Sequence, residues 1–116
     1  MTREKRSDCP IYAAMTVIEG KWKTVVLCNL MSKGKMRFNQ LMKIIDGVSP
    51  RMLTKQLKEL ERDRMVIRTT FTEVPLRVEY SLTEKGKSII PVLIAIADWG
   101  GAHMIHRFVD VQEETL

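Results

Sequence analysis

Four basic side chains between residues 49 and 62 have the spacing of a single helical face: Arg51, Lys55, Lys58 and Arg62. Positions i, i+4, i+7 and i+11 fall within roughly 60° of one another at about 100° per residue. Like charges at this spacing repel and weaken an isolated helix. Their guanidinium and ammonium groups would bind the phosphates of a polyanion, and double-stranded DNA is the obvious candidate. The alternative is a basic face that is simply solvated.

Cys9 is the residue with a redox chemistry of its own. It precedes Pro10 at the predicted start of a helix, where the positive end of the helix dipole favours the thiolate. Lys5 and Arg6 lie close in sequence and would act in the same direction. The alternative is an ordinary thiol in a helix cap. Cys28 lies among apolar residues and is expected to be an inert core residue.

The sequence carries no signature of an enzyme. It has no Gly-rich phosphate loop, no zinc ligand set and no nucleophile with a plausible His partner. His103 and His106 are three residues apart, but no third ligand is near them in sequence, so no metal site is expected. We therefore predict that the chain is not an enzyme and needs no cofactor.

The positive charge is concentrated in one part of the chain. The 116 residues are enough for one domain, and their net charge is +5. Residues 21–62 contain ten Lys or Arg and three acidic residues, a net of +7. The remaining residues contain nine basic and eleven acidic residues, a net of −2. This asymmetry indicates nucleic acid more strongly than the overall charge does.

The ends of the chain and its cysteine content indicate the compartment. Residues 1–8 lack the apolar run of a secretory signal and are predicted to be a mobile arm, and residues 109–116 are predicted to be an acidic tail. The longest apolar run, Ile89 to Ala97, contains Pro91 and is too short to span a bilayer. Two cysteines without an export signal suggest free thiols in a reducing compartment. The prediction is a cytoplasmic protein with no membrane association.

The hydrophobic periodicity and the Gly, Pro and capping residues predict four helices, the two strands of a hairpin and a final helix, with a further short strand before the third helix. The first helix runs from Cys9-Pro10 to about Ile18, and the second spans roughly Lys21–Met31. After a short strand at Met36–Phe38, a helix capped by Asn39 extends to Ile45. Next come a helix capped by Ser49 with Pro50 in its first turn, strands at Val66–Phe71 and Arg77–Leu82, and an apolar helix capped by Thr83 and interrupted at Gly100-Gly101.

The order of these elements is that of a winged helix-turn-helix. A short helix, a turn at Asp46-Gly47-Val48 and a longer helix with a basic outer face form the helix-turn-helix pattern. The two strands form a hairpin whose tip, Glu73 to Leu76, contains Pro75, which cannot donate a ladder hydrogen bond. The fold class is therefore mainly α with a small β-hairpin in a single domain spanning residues 1–116.

The chain resembles the HxlR-type transcriptional regulators, relatives of the MarR winged-helix proteins. The matching segments cover about residues 9–100 and are Cys9-Pro10, Gly20-Lys21-Trp22-Lys23, Arg37-Phe38, Ser49-Pro50-Arg51-Met52-Leu53-Thr54, Leu57-Lys58-Glu59-Leu60-Glu61, Glu73-Val74-Pro75, Arg77-Val78-Glu79-Tyr80-Ser81-Leu82-Thr83-Glu84-Lys85-Gly86 and Trp99-Gly100. Asn39 departs from the family, which often has Ser there. The resemblance implies a homodimeric DNA-binding regulator of transcription, whose first and last helices form the dimer interface. Several members sense oxidants through an N-terminal cysteine.

The predicted DNA-binding residues lie on the two reading helices, before them and on the wing: Lys35, Arg37, Asn39, Ser49, Arg51, Met52, Thr54, Lys55, Lys58, Arg62, Pro75 and Arg77. Arg51 could bind a guanine bidentately or a phosphate, and the sequence favours neither. Met52 could equally pack inward. Arg77 could enter the minor groove or form a salt bridge with Glu73 or Glu79.

The predicted dimer interface is formed by apolar residues of the first and last helices: Ile11, Tyr12, Met15, Ile90, Leu93, Ile94, Ala97 and Trp99. Trp22 and Trp99 are expected to be core or dimer anchors. The predicted function is sequence-specific regulation of transcription by a homodimer on a pseudo-palindromic operator, with gating by thiol oxidation or electrophiles as a hypothesis. Two alternatives remain: a winged helix that docks an acidic protein, and a small-molecule or oxidant sensor whose DNA binding is secondary.

Overall fold

The computed structural model describes residues 8–104. Its elements are α1 (Pro10–Ile18), α2 (Lys23–Lys33), β1 (Met36–Arg37), α3 (Phe38–Ile44), α4 (Pro50–Arg62), β2 (Val66–Phe71), β3 (Arg77–Leu82), α5 (Glu84–Ser88) and α6 (Ile90–His103). The predicted bounds of α1, α4, β2 and β3 are confirmed. The predicted arm (apart from Asp8), the acidic tail and His106 lie outside the described residues.

Glycines with positive φ end the first two helical segments. Gly20, at φ 92°, separates α1 from α2, and Gly34, at φ 80°, follows the last residue of α2. These conformations are easily adopted only by a residue without a Cβ. The second helix begins at Lys23, two residues later than predicted, because Lys21 and Trp22 lie in the bend between the helices.

The third helix begins two residues earlier than the sequence suggested, since its N-cap is residue 37 and not residue 39. The prediction that Asn39 caps α3 is wrong, because the helix starts at Phe38 and its N-cap is Arg37. The Gln40 side chain takes over the capping role: its Oε1 accepts a hydrogen bond from the Arg37 backbone N–H at 2.8 Å. Phe38 packs against the core, which fixes the start of the helix. The turn to α4 contains Gly47 at φ 85°.

The three strands form one antiparallel sheet in the order β1–β3–β2. The hairpin register pairs Val66 with Leu82 and Phe71 with Arg77. Strand β1 joins the other edge of β3, where Met36 pairs with Tyr80. This pairing fixes the chain just before α3 to the base of the wing. It therefore links the orientation of the hairpin to that of the helix-turn-helix.

The C-terminal helical segment is divided at a different place from the one predicted. Thr83 caps α5, as expected, with its Oγ1 accepting a hydrogen bond from the Gly86 N–H at 2.9 Å. The break falls at Ile89, immediately before α6. Gly100-Gly101 does not interrupt α6, which continues to His103. Each helical glycine costs only about 1 kcal/mol, which neighbouring helix formers can offset.

The core lies between α2, α3, α4 and the sheet. Its most completely buried side chains are Val26, Leu27, Leu41, Leu53, Leu57 and Leu60, each at most 1% exposed. Full burial of such a side chain contributes roughly 1.5–3 kcal/mol. By contrast, no residue of α1 is classed as buried. The buried side chains of α3 and α4 thus hold the helix-turn-helix on the core, whereas α1 lies at the surface of the protomer.

Candidate nucleic-acid interface

The outer face of α4 is basic, as its spacing predicts. Its cations are Arg51, Lys55, Lys58 and Arg62, all exposed. On the opposite side, Leu53, Leu57 and Leu60 are 0–1% exposed. Ser49 caps the helix, with its Oγ accepting a hydrogen bond from the Met52 N–H at 3.1 Å. The buried leucine side therefore fixes which way the charged side faces.

The first turn of α4 separates exposed side chains from packed ones. Met52 packs against the core, and its sulfur accepts a hydrogen bond from Gln56 Nε2 at 3.2 Å, so the inward alternative holds for it. Thr54 is exposed, but its hydroxyl donates to the Pro50 carbonyl at 2.8 Å. Within the part of the chain that the structure describes, Arg51 has no ion pair.

Two shallow surface cavities flank α3. One has a volume of about 370 Å³ and is lined by Lys33, Lys35, Met36, Gln40, Lys43 and Ile44. The other, of about 240 Å³, is lined by Arg37, Phe38, Asn39, Leu76, Arg77 and Val78. The predicted Lys35, Arg37 and Asn39 therefore lie on both flanks of one short helix. Lys43, which is not among the predicted residues, falls within about 40° of Asn39 on the helical wheel.

At the wing, the structure favours the salt-bridge alternative for Arg77. Its Nη2 lies 3.1 Å from Glu73 Oε1, and its Nε lies 3.6 Å from Glu79 Oε1. The guanidinium carbon lies 4.2 Å from the centroid of the Phe71 ring. Beyond this cluster the tip is apolar, with Val74 101% and Leu76 66% exposed on either side of Pro75. The wing thus presents an apolar tip rather than a free cation.

One lysine of the basic segment is internal. Lys23 is 8% exposed and its Nζ lies 3.2 Å from Glu59 Oε2 on α4. This pair removes one charge of each sign, so the net charge of residues 21–62 is unchanged. Lys21, two residues earlier, is exposed, with its Nζ 5.1 Å from the centroid of the Trp22 ring. The excess positive charge therefore lies outside the core.

One of the two thiols lies where the sequence predicts and the other does not. Cys9 is the N-cap of α1 and is partly buried. Cys28, predicted as a core residue, is exposed, so that prediction is wrong. It lines a shallow cavity with Thr24, Val25, Asn29, Leu93 and Ala97, between α2 and α6. The buried side of α2 is formed by its neighbours Val26, Leu27 and Leu30 instead.

Helices α1 and α6 expose much of their apolar surface. The exposed residues include the predicted Ile11, Tyr12, Met15, Ile94, Ala97 and Trp99, together with Val92 and Ile96, which the prediction omitted. Ile90 and Leu93 are 8% and 7% exposed and belong to the protomer core, so they are not available to a partner as predicted. An apolar patch of this kind on a protein surface marks an interaction site.

Residues 8–104 contain no helix that is both long and apolar enough to cross a membrane. Over the same residues there is no group of three or more His, Cys, Asp or Glu side chains that could hold a metal ion. His103 instead lies against Trp99, with 5.2 Å between the ring centroids.

Comparison with known proteins gives consistent results. The model of the HxlR-like helix-turn-helix family matches residues 17–108. An uncharacterized HTH-type transcriptional regulator from Methanothermobacter thermautotrophicus is 46% identical over 99 residues, which are 85% of this chain and 75% of the relative. The reduced form of the redox regulator HypR is 39% identical with a TM-score of 0.77, covering 91% of this chain and 99% of HypR.

The reduced form of the transcriptional regulator YodB from B. subtilis is 32% identical, with a TM-score of 0.75. The match covers 83% of this chain and 94% of YodB. Two of these similar proteins are named as regulators of transcription and HypR as a redox regulator, and none is named as an enzyme. The family match spans the helix-turn-helix, the wing and α6, which are the elements that form the basic face and its support. The chain therefore belongs to the HxlR-like helix-turn-helix family of transcriptional regulators.

Proposed function

We propose that the protein binds double-stranded DNA as a homodimer in the cytoplasm and regulates transcription from a pseudo-palindromic operator. The observation that carries this proposal is the face of α4, where four exposed cations lie opposite fully buried leucines. Because the leucines fix the helix on the core, the cations form a preorganised surface for a regular array of phosphates.

In this proposal α4 is the recognition helix and enters the major groove. The N-terminal residues of such a helix reach the base edges. Arg51, Thr54 and Lys55 are exposed there, and Arg51 is able to bind guanine O6 and N7 bidentately. Lys58 and Arg62, farther along the helix, would bind phosphates. Ser49 supports the helix through its cap, and Met52 supports it through the core.

The surface around α3 would set the register of the protein on the DNA backbone. Lys35, Arg37 and Asn39 are exposed on its flanks, and Lys33 and Lys43 extend the positive surface on one side. Contacts of this kind position a protein without reading sequence. The apolar tip at Val74, Pro75 and Leu76 would lie against the sugars of the adjacent minor groove, where apolar side chains are commonly inserted.

A homodimer would pair the exposed apolar surfaces of α1 and α6 and place two recognition helices on one side of the duplex. Their half-sites would then be separated by about one helical turn, on the order of 34 Å. Cys9 lies at the start of α1, so oxidation or alkylation of its thiol would act on this interface. HypR, a similar structure, is described as a redox regulator, which supports thiol gating as part of the proposal.

The test is a titration of random-sequence duplex DNA over a salt series, followed by selection of the tightest binders. We expect salt-steep binding and enrichment of an inverted repeat. Arg51→Ala should cost about 1–3 kcal/mol and relax preference at one base if Arg51 reads guanine, whereas Lys58→Ala should weaken all sequences and lower the salt slope by about 1 per protomer. Lys87→Ala, on α5, is the control with the same change of charge.

The same titration tests the thiols. Protein treated with hydrogen peroxide or N-ethylmaleimide should bind the selected operator differently from reduced protein, and Cys9→Ser should abolish the difference. Because Cys28 is exposed and can react as well, Cys28→Ser is the matched control and should retain the response. A response unchanged in Cys9→Ser would remove Cys9 as the sensor. Binding that is insensitive to salt, or absent, would contradict the DNA proposal and favour an acidic protein as the partner of α4.

A further inference from the structure

Lys23 is placed where a cation is unfavourable unless something compensates it. It is 8% exposed, which removes its ammonium group from water. It is also the first residue of α2, and the N-terminal end of a helix carries a partial positive charge that repels cations. Among residues 8–104, no other charged side chain is buried to this extent. Such a group requires close partners.

The partners of Lys23 come from two different helices. Its Nζ donates to the backbone carbonyl of Thr16 at 3.1 Å, in the last turn of α1. The same atom lies 3.2 Å from Glu59 Oε2 on α4. Carbonyls in the last turn of a helix lack an intrahelical partner, which makes the Thr16 oxygen a natural acceptor. One ammonium group on α2 therefore joins α1 to the recognition helix.

Helix α1 packs on the protomer through side chains at its C-terminal end. None of its residues is buried, and its Val17 and Ile18 side chains pack against the core. Between α1 and the end of α4 lies a surface cavity of about 370 Å³. Its lining includes Ala13 and Ala14 from α1, and Asp63 and Met65 from beyond α4. The Lys23 contacts are thus a direct polar connection between α1 and α4.

Glu59 also lies close to the basic face. At about 100° per residue, Glu59 is roughly 80° from Arg51 and 40° from Lys55 around α4. Its side chain is 28% exposed, so an unpaired carboxylate there would repel the phosphates that the basic face binds. The ammonium group of Lys23 neutralises it from the interior. The pair therefore has an electrostatic effect as well as a positional one.

We propose that Lys23 is a positioning residue that fixes the recognition helix relative to α1, so that sequence discrimination depends on it more than general DNA affinity does. This inference rests on the proposed operator-binding function. Base-edge contacts require accurate placement of α4, because each bidentate pair supplies about 1–3 kcal/mol of discrimination. Phosphate contacts through long, flexible side chains tolerate displacement. Because Cys9 and the apolar surface of α1 lie on the same helix, Lys23 also connects them to α4.

The experiment measures dissociation constants for the selected operator and for random duplex DNA at one salt concentration. Lys23→Met approximately preserves side-chain volume and removes the ammonium group, while Glu59, whose side chain is 28% exposed, stays in contact with water. We expect the ratio of operator to random-sequence affinity to fall about tenfold or more, within the range of one lost base contact. Lys21→Met, an exposed change of identical charge, should leave that ratio unchanged.

Glu59→Gln separates geometry from charge. The amide oxygen can still accept a hydrogen bond from Lys23, so the ratio should be retained while random-sequence affinity rises. If Lys23→Met does not fold, Glu59→Met breaks the same contact from its more exposed side, and the same fall in ratio is expected. A ratio unchanged in the contact-breaking variant, or equal losses on both DNAs, would overturn the inference. A wild-type protein without operator preference would overturn the proposed function as well.

Discussion

Arg77 lies at the base of the wing and contacts three neighbouring side chains. Its guanidinium is shared among Glu73, Glu79 and the ring of Phe71, and its side chain is 28% exposed. The planar guanidinium is suited to pairing with carboxylates at its edge while stacking on an aromatic ring. These contacts connect the end of β2, the hairpin tip and the start of β3. Arg77 therefore stabilises the shape of the wing.

We predict that Arg77→Ala lowers the free energy of unfolding by about 1 kcal/mol, through the lost contact with Phe71 and the lost, partly exposed ion pairs with Glu73 and Glu79. The salt slope of DNA binding should not change, in contrast to Lys58→Ala. Arg77→Lys should behave like the alanine variant, because lysine lacks the planar group. Urea unfolding and a salt titration measure both quantities. A slope that falls by about 1 per protomer would instead indicate a phosphate contact by Arg77.

Residue types alone could not separate the core from a surface kept for a partner. Cys28 lies in an apolar stretch and was expected in the core, yet it is exposed, as is Val25, while Val26 and Leu27 are 0% exposed. Hydropathy records that a side chain avoids water but not which surface covers it. The α4 face was predictable because charged and apolar residues there alternate with a clear helical period.

At the scale of elements, the junction between β2 and α5 depends on Gly86. A Cβ at this position would overlap the backbone carbonyl oxygen of Met65 and approach the side chain of Leu82 at 3.3 Å. The same carbonyl accepts a hydrogen bond from the Thr83 N–H at 3.1 Å. A backbone carbonyl held by such a hydrogen bond cannot move aside without breaking it. Glycine at position 86 therefore allows α5 to pack closely on the sheet.

We expect Gly86→Ala to lower the free energy of unfolding by about 1–3 kcal/mol, as overpacking typically does. Gly101→Ala is the control, because the same substitution there should raise the free energy of unfolding. A Cβ at position 101 has nothing within 4 Å, so alanine should stabilise α6 by up to about 1 kcal/mol. Denaturant unfolding of the two variants compares them directly. Equal effects of the two substitutions would contradict the close contact at Met65.

Most elements could be predicted because local signals agreed with the tertiary contacts. Ser49 and Thr83 cap α4 and α5, as the sequence predicts, and the hairpin strands begin and end at the predicted residues. The start of α3 could not be predicted in this way. Phe38 packs against the core, and the Gln40 side chain, inside the helix, caps the Arg37 N–H. The contact between Lys23 and Glu59 could not be predicted either. The two residues are 36 positions apart in the sequence, and only the tertiary fold brings them together.

At the scale of the whole molecule, the protomer is more extended than a compact domain. Its Cα radius of gyration is 17.2 Å, against about 13 Å for a compact domain of 100 residues. In α6, all positions from Ile94 to Trp99 are exposed, although apolar residues dominate there. A helix that is apolar on all sides is normally buried. This arrangement is explained if α6 and α1 are covered by a second copy of the chain.

We therefore predict that Ile94→Glu converts the dimer to a monomer, because a carboxylate would have to be buried at the interface without a partner. Ile67→Glu is the matched control, since Ile67 is 51% and Ile94 55% exposed but Ile67 lies on β2. Sedimentation velocity should show a monomer for the first variant and an unchanged dimer for the second. Operator affinity should fall for Ile94→Glu alone, because a monomer binds one half-site. A dimer that persists in Ile94→Glu would place the interface elsewhere on the protomer.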